Sequence, residues 1–254
     1  DYYVTMERDG DGHRTKFTPA GRMLLERGRV LLEAAEHLVG ETRALARGWE
    51  TDITIAVDAL VPVQALYPLV EKLAEQTDTR LRLRAEVLAG SWECLEDGRA
   101  DLLISSLNPD ITLTGIKHQP LQEEVMLYVA HPDHPLHGEP EPLADETLRR
   151  YRAIAIADTA RRKPALTYRL LDKQPRLTVS TMGEKRDALL AGLGIGTMPQ
   201  RWIEEDIKAG RLKVISPEYR HQIQVVLAWR RDTMGKAKSW LVREIPKLFP
   251  CKGE

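Results

Sequence analysis

Four leucines at a strict seven-residue spacing constrain this chain more than any other feature. Leu24, Leu31, Leu38 and Leu45 fall inside the stretch Thr18 to Gly48, TPAGRMLLERGRVLLEAAEHLVGETRALARG. Such spacing holds them in one stripe along a helix of about 45 Å at the usual rise per residue. Thr18 suits the N-cap, Pro19 the first helical position and Gly48 a left-handed C-cap, so both ends carry residues with a backbone reason to be there. Four positions beyond the first three leucines stand Gly28, Ala35 and Thr42, all small enough to let a second helix approach. The polar remainder, including Arg22, Glu26, Arg29, Glu33 and Glu36, leaves a narrow stripe that a lone helix cannot bury. A partner helix is therefore expected along it, in preference to packing on the chain's own domain.

The preceding segment differs in character. Arg8, His13, Arg14 and Lys16 surround Asp9-Gly10-Asp11-Gly12 and lead to Phe17, a pattern that fits a small basic hairpin and equally a disordered end.

Composition sets the class. A chain of 254 residues with 43% hydrophobic and 30% charged residues suits a soluble protein of one large or two modest domains. The net charge of -1 provides no global attraction to nucleic acid or membrane. Apolar runs such as Ile53 to Val57 and Val125 to Ala130 are far too short to span a bilayer. With no apolar signal core at the start and two isolated cysteines, Cys94 and Cys251, a reducing cytoplasm is the expected setting.

After the helix, Trp49 to Asp52 forms a hinge and the periodicity changes to alternating strands and helices. Strands are expected at Ile53–Val57, Leu81–Leu88 and Leu102–Ser105, with helices at Val61–Gln76 and Ser91–Asp97 between them. Short connections in this order imply a parallel sheet with crossover helices. From Gly115 the chain reads strand-like through Glu123 to Ala130 and then enters the turn His131–Pro142. A second unit follows, with helices near Leu143–Arg150, Pro164–Leu171, Glu184–Leu193 and Arg201–Ala209 and strands at Ala153–Ala157, Arg176–Val179 and Ile195–Met198. Leu212–Ile215, a strand Gln222–Trp229 and a helix Lys236–Leu248 complete the chain. Two α/β lobes place a ligand beyond the carboxyl ends of their strands, in the cleft between them.

Catalytic and metal signatures are weak. Gly192-Leu193-Gly194-Ile195-Gly196 follows a helix and enters a strand, the reverse of the order a phosphate cradle needs. No Gly-x-Ser-x-Gly elbow is present. His131, His134 and His137 lack cysteine or carboxylate partners at ligand spacing, and Pro132 and Pro135 preclude a helix that would align them.

The succession TPAG heading a long helix, DITIAVDALVPVQALYPLVEKLAE, LEDGRADLLIS, PLQEEVMLYVAHPDHPL, LLAGLGIGTMP and AGRLKVI resembles the LysR-type transcriptional regulators. The resemblance runs from Phe17 to about Phe249, and its weight lies in the order and spacing of individually weak motifs. It implies a winged helix-turn-helix, a linker helix that makes the dimer, and an α/β effector domain of the two-lobed, type 2 periplasmic-binding-protein-like fold. On this reading residues 1–17 are a remnant of the wing, 18–48 the linker, 52–120 with 222–254 lobe I, and 121–221 lobe II. The DNA-reading helices would precede His13 and are not expected in this chain, which leaves His13, Arg14 and Lys16 as weak contacts to the DNA backbone.

The expected effector contacts lie at strand ends and helix starts facing the cleft, where unpaired backbone N–H groups and side-chain hydroxyls collect. They are Asp58, Ala59 and Leu60; Ser91 as an N-cap and Trp92 as a stacking wall; Ser105, with Ser106 and Asn108 nearby; Thr159; Met182 and Gly183; and Thr197 and Met198. Trp92 has an alternative role, packing its helix onto the sheet. Asp58 would favour a ligand hydroxyl or amine. With Trp92, Leu60 and Met198 it suggests a hydroxylated aromatic or quinone-like effector. The resulting expectation is a regulator that is not an enzyme, needs no cofactor, dimerises and pairs further into tetramers, and touches DNA through the full-length protein. A secreted solute-binding receptor of the same fold is the alternative.

Overall fold

The computed structural model describes residues 6–8, 15–107, 114–231 and 234–249. His13, Arg14 and Asn108 lie outside these residues, as do the side chains of Lys16, Thr42 and Leu45.

The N-terminal hairpin pairs β1 (Met6–Arg8) with β2 (Thr15–Phe17) and leads directly into α1 (Pro19–Arg47). Both expected caps of this helix are present. Gly21 N donates to Thr18 Oγ1 at 3.0 Å, and Gly48 takes the left-handed φ of +76° that a side chain would resist. The leucine stripe is open: Leu24, Leu31 and Leu38 are 60%, 70% and 63% exposed. The adjoining flank of α1, at Leu32, Val39 and Ala35, the last of these expected in the leucine seam, borders a groove against the Arg80, Arg82 and Arg84 row of the first lobe.

Past the hinge, one mixed sheet runs through the rest of the molecule. Its strands are β3 (Asp52–Asp58), β4 (Arg80–Glu86), β5 (Leu102–Ser106), β6 (Ile116–Ala130), β7 (Ala153–Ile156), β8 (Arg176–Val179), β9 (Ile195–Pro199), β10 (Lys213–Val214) and β11 (His221–Arg230). The spatial order is β4-β3-β5-β11-β6-β9-β7-β8, with β10 paired to β6. β3, β4 and β5 are parallel, as are β8, β7 and β9, while β6 and β11 run antiparallel between the two groups. The long β6, strand-like in sequence from Gly115 onward, therefore ties two α/β lobes together.

Each lobe covers its sheet on both faces. In the first, Ile53, Ile55 and Val57 meet Leu69 and Leu73 of α2 (Tyr67–Ala74) and Leu241 of α7 (Lys236–Glu244), while the alternate residue Ala56 faces Trp92 and Leu95 of α3 (Ala89–Glu96). This in-and-out alternation is the two-residue period of a strand buried on both sides. In the second, Leu127 and Val129 pack on Leu189 of α5 (Met182–Leu190) and Ile203 of α6 (Gln200–Lys208), and Tyr128 and Ala130 face Leu136 and Leu148, the latter on α4 (Asp145–Arg149). Burying each such leucine contributes about 1.5–3 kcal/mol.

Two sequence expectations change. The helix expected at Pro164–Leu171 is absent; residues 157–175 form no regular element. Leu166 N donates to Asp158 and Leu171 N to Gln174 instead of to a helical ladder, and the preceding Arg161, Arg162 and Lys163 N–H groups serve Glu93 of the other lobe. Ser91 is not an N-cap: α3 starts two residues earlier, after Leu88 at φ +52°, and Ser91 is buried inside the helix. No described helix is long and apolar enough to cross a membrane.

Candidate functional site

The carboxyl ends of β3 and β5 and the start of α3 gather a polar cluster in the first lobe. Asp58 ends β3 and is 4% exposed. Its Oδ1 accepts Leu60 N at 3.0 Å, and its Oδ2 accepts Ser91 Oγ at 2.6 Å and Ser105 Oγ at 3.3 Å. Burial pushes the Asp58 carboxyl above its ordinary range; the Ser91, Leu60 and Ser105 hydrogen bonds oppose this without cancelling it. Ser91 and Ser105 are thus placed together as expected, but their hydroxyls turn inward to the carboxylate.

The second lobe reaches this cluster with residues 157–166. Thr159 Oγ1 accepts Val87 N at 2.9 Å and Asp158 accepts Gly90 N at 3.0 Å and Ala89 N at 3.3 Å, so an aspartate of one lobe caps the first turn of a helix in the other. Gly90 permits the approach, because a Cβ there would lie 2.5 Å from the Thr159 carbonyl carbon. Further along, Glu93 accepts the backbone N–H groups of Arg161, Arg162 and Lys163, each at 3.1 Å. On the other side of the cleft Trp202 Nε1 donates to Leu60 O at 3.3 Å, and the Trp202 ring and Ala59 share an apolar cluster. The lobes touch along two seams, one at Leu60 just after Asp58 and one at residues 87–93.

The remaining expected contacts divide. Trp92 is 2% exposed, packs among Ala56, Leu95 and Leu103, and donates Nε1–H to Ser106 O at 3.1 Å. That is the packing role, not a wall open to ligand. Met198 is fully buried under α5 and α6, and Thr197 is 4% exposed beside it. Met182 and Gly183 form the first turn of α5, where Thr181 and Glu184 make a reciprocal capping box. Sequence reasoning singled out the stretch Ala157-Asp158-Thr159 but favoured Thr159 over Asp158, and it missed Glu93 and Trp202. A carboxylate just past a strand end was a visible signal for Asp158, whereas nothing local to Glu93 announces partners some seventy residues away.

The first lobe also holds the hinge. Glu50 accepts Ala237 N at 2.9 Å and Lys238 N at 3.3 Å at the start of α7, and Gly48 O accepts Lys236 N at 3.0 Å. The end of α1 is thereby fixed to the body of the first lobe.

Residues 46–249 match the family model described as LysR substrate binding domain. The chain belongs to the LysR-type transcriptional regulators. It is 59% identical over 247 residues to the probable HTH-type transcriptional regulator YhaJ of Escherichia coli K12, covering 96% of this chain and 82% of that relative. It is 34% identical over 241 residues to the uncharacterized HTH-type transcriptional regulator YeeY of the same organism, covering 93% and 77%. Among solved structures, the full-length LysR-type regulator LysG from Corynebacterium glutamicum with bound effector Arg superposes with a TM-score of 0.62 at 19% identity, covering 96% of this chain and 82% of that one. LysR-type regulatory domains have the two-lobed, type 2 periplasmic-binding-protein-like fold, so the fold expected from sequence is the one observed. LysR-type regulators bind small-molecule effectors and DNA and are oligomeric. Among the described residues no group of three or more His, Cys, Asp or Glu side chains is arranged to hold a metal.

Proposed function

We propose that this chain is the sensing and oligomerising part of a LysR-type regulator, acting without catalysis. A small effector binds between lobe I, residues 52–120 with 222–254, and lobe II, residues 121–221. The observation that carries the reading is the seam itself. Lobe II supplies a carboxylate, Asp158, to the helix start in lobe I where an anionic or polar ligand group would otherwise dock. A ligand entering the cleft exchanges with these contacts and favours one lobe arrangement according to its differential affinity.

The effector carries a hydroxyl that donates to Asp58, a carboxylate with lone pairs enough to accept it beside the Leu60 and serine donors. An aromatic or quinone-like frame is supported by the Trp202 ring and Leu60; Trp92 lends it no support, being packed in the core. The lobe I change reaches α1 through Glu50, and α1 pairs with a second copy to form dimers that assemble into tetramers and carry DNA-binding heads. The relatives' descriptions as HTH-type transcriptional regulators support this over a secreted receptor.

Isothermal titration against a panel of hydroxylated aromatics tests the effector class. Heat with at least one member is expected, accompanied by a change in amide exchange at residues 87–91 and 157–166. Binding restricted to compounds without a hydroxyl would overturn the Asp58 role.

A further inference from the structure

Lys185 stands one turn into α5, on the buried face that also carries Met182, Ala188 and Leu189. Only 6% of its surface is exposed, yet among the described residues its side-chain ammonium makes neither a hydrogen bond nor an ion pair. Burial alone pushes its ammonium down to about 8, with no neighbouring carboxylate to offset the cost. Other buried cations are not left this way. Lys238 reaches Arg230 O, and Arg99 lies between Glu86, Glu93 and Asp97.

The setting is built for a long side chain. The Lys185 stem lies over Gly196 of β9, where a Cβ would sit 3.2 Å from Lys185 Cε, so the glycine leaves the channel the stem occupies. α5 begins at the edge where the parallel strands β7, β8 and β9 end. Helical side chains lean toward the helix N-terminus, which carries this ammonium back toward that edge and the cleft. An uncompensated buried charge is costly and persists where function uses it.

We infer that Lys185 is the anchor for a single negative charge on the effector, and that the effector is a small hydroxyl-bearing monocarboxylate. This rests on the effector-binding reading above and adds the ligand's charge and orientation to it. One ammonium balances one charge, which disfavours a phosphate dianion. Asp58 and Asp158 in the cleft repel a second anion, so the carboxylate faces lobe II and the hydroxyl faces Asp58 in lobe I.

The test measures thermal shift and titration heat for wild type, Lys185→Met, Lys185→Gln and Lys185→Arg. The probes are 3- and 4-hydroxybenzoate, 2,5-dihydroxybenzoate and lactate, the amide of each, and hydroquinone. A binding acid at a hundredfold its Kd should raise the wild-type Tm by about 5–10 °C, while its amide gives little. Lys185→Met and Lys185→Gln should match or exceed the unliganded wild-type Tm and lose at least about 30-fold in affinity for that acid, with Lys185→Arg retaining part of it. If only one neutral replacement folds, that one decides. Equal binding of acid and amide, or unchanged affinity in a folded neutral variant, would overturn the anchor. Binding of hydroquinone but of no acid would overturn it while leaving the effector reading intact, and no binding by any probe would count against both.

Discussion

Asp158 in one lobe accepts the backbone N–H of Gly90 in the other at 3.0 Å, and Gly90 is a position where no side chain fits. The same carboxylate accepts Ala160 N at 2.8 Å and Leu166 N at 2.6 Å, so it orders its own loop and caps a helix across the cleft at once. Replacing Asp158 by alanine removes a cap and leaves these donors to water. A loss of about 1–2 kcal/mol is expected. Amide exchange should accelerate at residues 87–91 and 157–166 while the β3 core stays protected. Uniform exchange across the protein would contradict a local seam.

Two buried carboxylates predict opposite responses to acid. Burial pushes Glu93 up, but the Lys163, Arg162 and Arg161 N–H groups and the Arg99 charge outweigh it and hold the carboxyl below its ordinary range. Its stabilisation is therefore present above the unfolded value of about 4.3 and lost as pH falls through the folded value. Asp58 is raised, so its contribution is fully present below the unfolded value of about 3.9 and lost as pH rises through the folded value. Asp58→Asn should thus melt above wild type at pH 7, with the gap closing toward pH 4. Glu93→Gln should melt below wild type at pH 7 by about 1–3 kcal/mol, with that gap shrinking in acid. Melting curves from pH 3 to 8 check both signs.

Trp202 reports on the cleft and Trp92 does not. The Trp202 indole bridges to Leu60 O across the lobes, whereas the Trp92 indole is sealed against Ser106 O in the core of the first lobe. Any effector that alters the lobe contact should change the fluorescence of a Trp92→Phe variant nearly as much as wild type, and Trp202→Phe should abolish most of the change. Trp92→Phe should also cost about 1 kcal/mol through the unpaired Ser106 carbonyl. A response lost in Trp92→Phe and kept in Trp202→Phe would refute this assignment.

The fold was legible where local rules and burial agree. Ile53 to Val57 is apolar on both faces because helices cover both, and Thr18 and Gly48 bracket α1 by backbone chemistry alone. Residues 164–171 misled because their apolar spacing suggests a helix, while Glu93 and Asp158 take the N–H groups of 161–163 and 166. That Asp58, Ser91 and Ser105 would meet at strand ends and a helix start, with Thr159 of the other lobe near by, was legible as a location. The direction of each side chain was not, since Ser91 turns to Asp58 and Trp92 to the core through contacts distant in sequence.

The leucine stripe carries the last expectation. Leu31 and Leu38 project from α1 at 70% and 63% exposure, and Gly28, between Leu24 and Leu31, would admit a Cβ with nothing within 4 Å. These leucines stay largely exposed among the described residues, and a second copy of α1 would bury them by knobs-into-holes packing. Leu31→Glu with Leu38→Glu places charges in that seam, where each lost leucine forfeits about 1.5–3 kcal/mol per protomer if the seam is buried. Sedimentation at micromolar concentration should show an oligomer for wild type and a monomer for the double variant. Effector affinity should be unchanged, because Glu50 still fixes the hinge to α7 and neither leucine reaches the cleft. A double variant that stays oligomeric would place the interface elsewhere on the molecule.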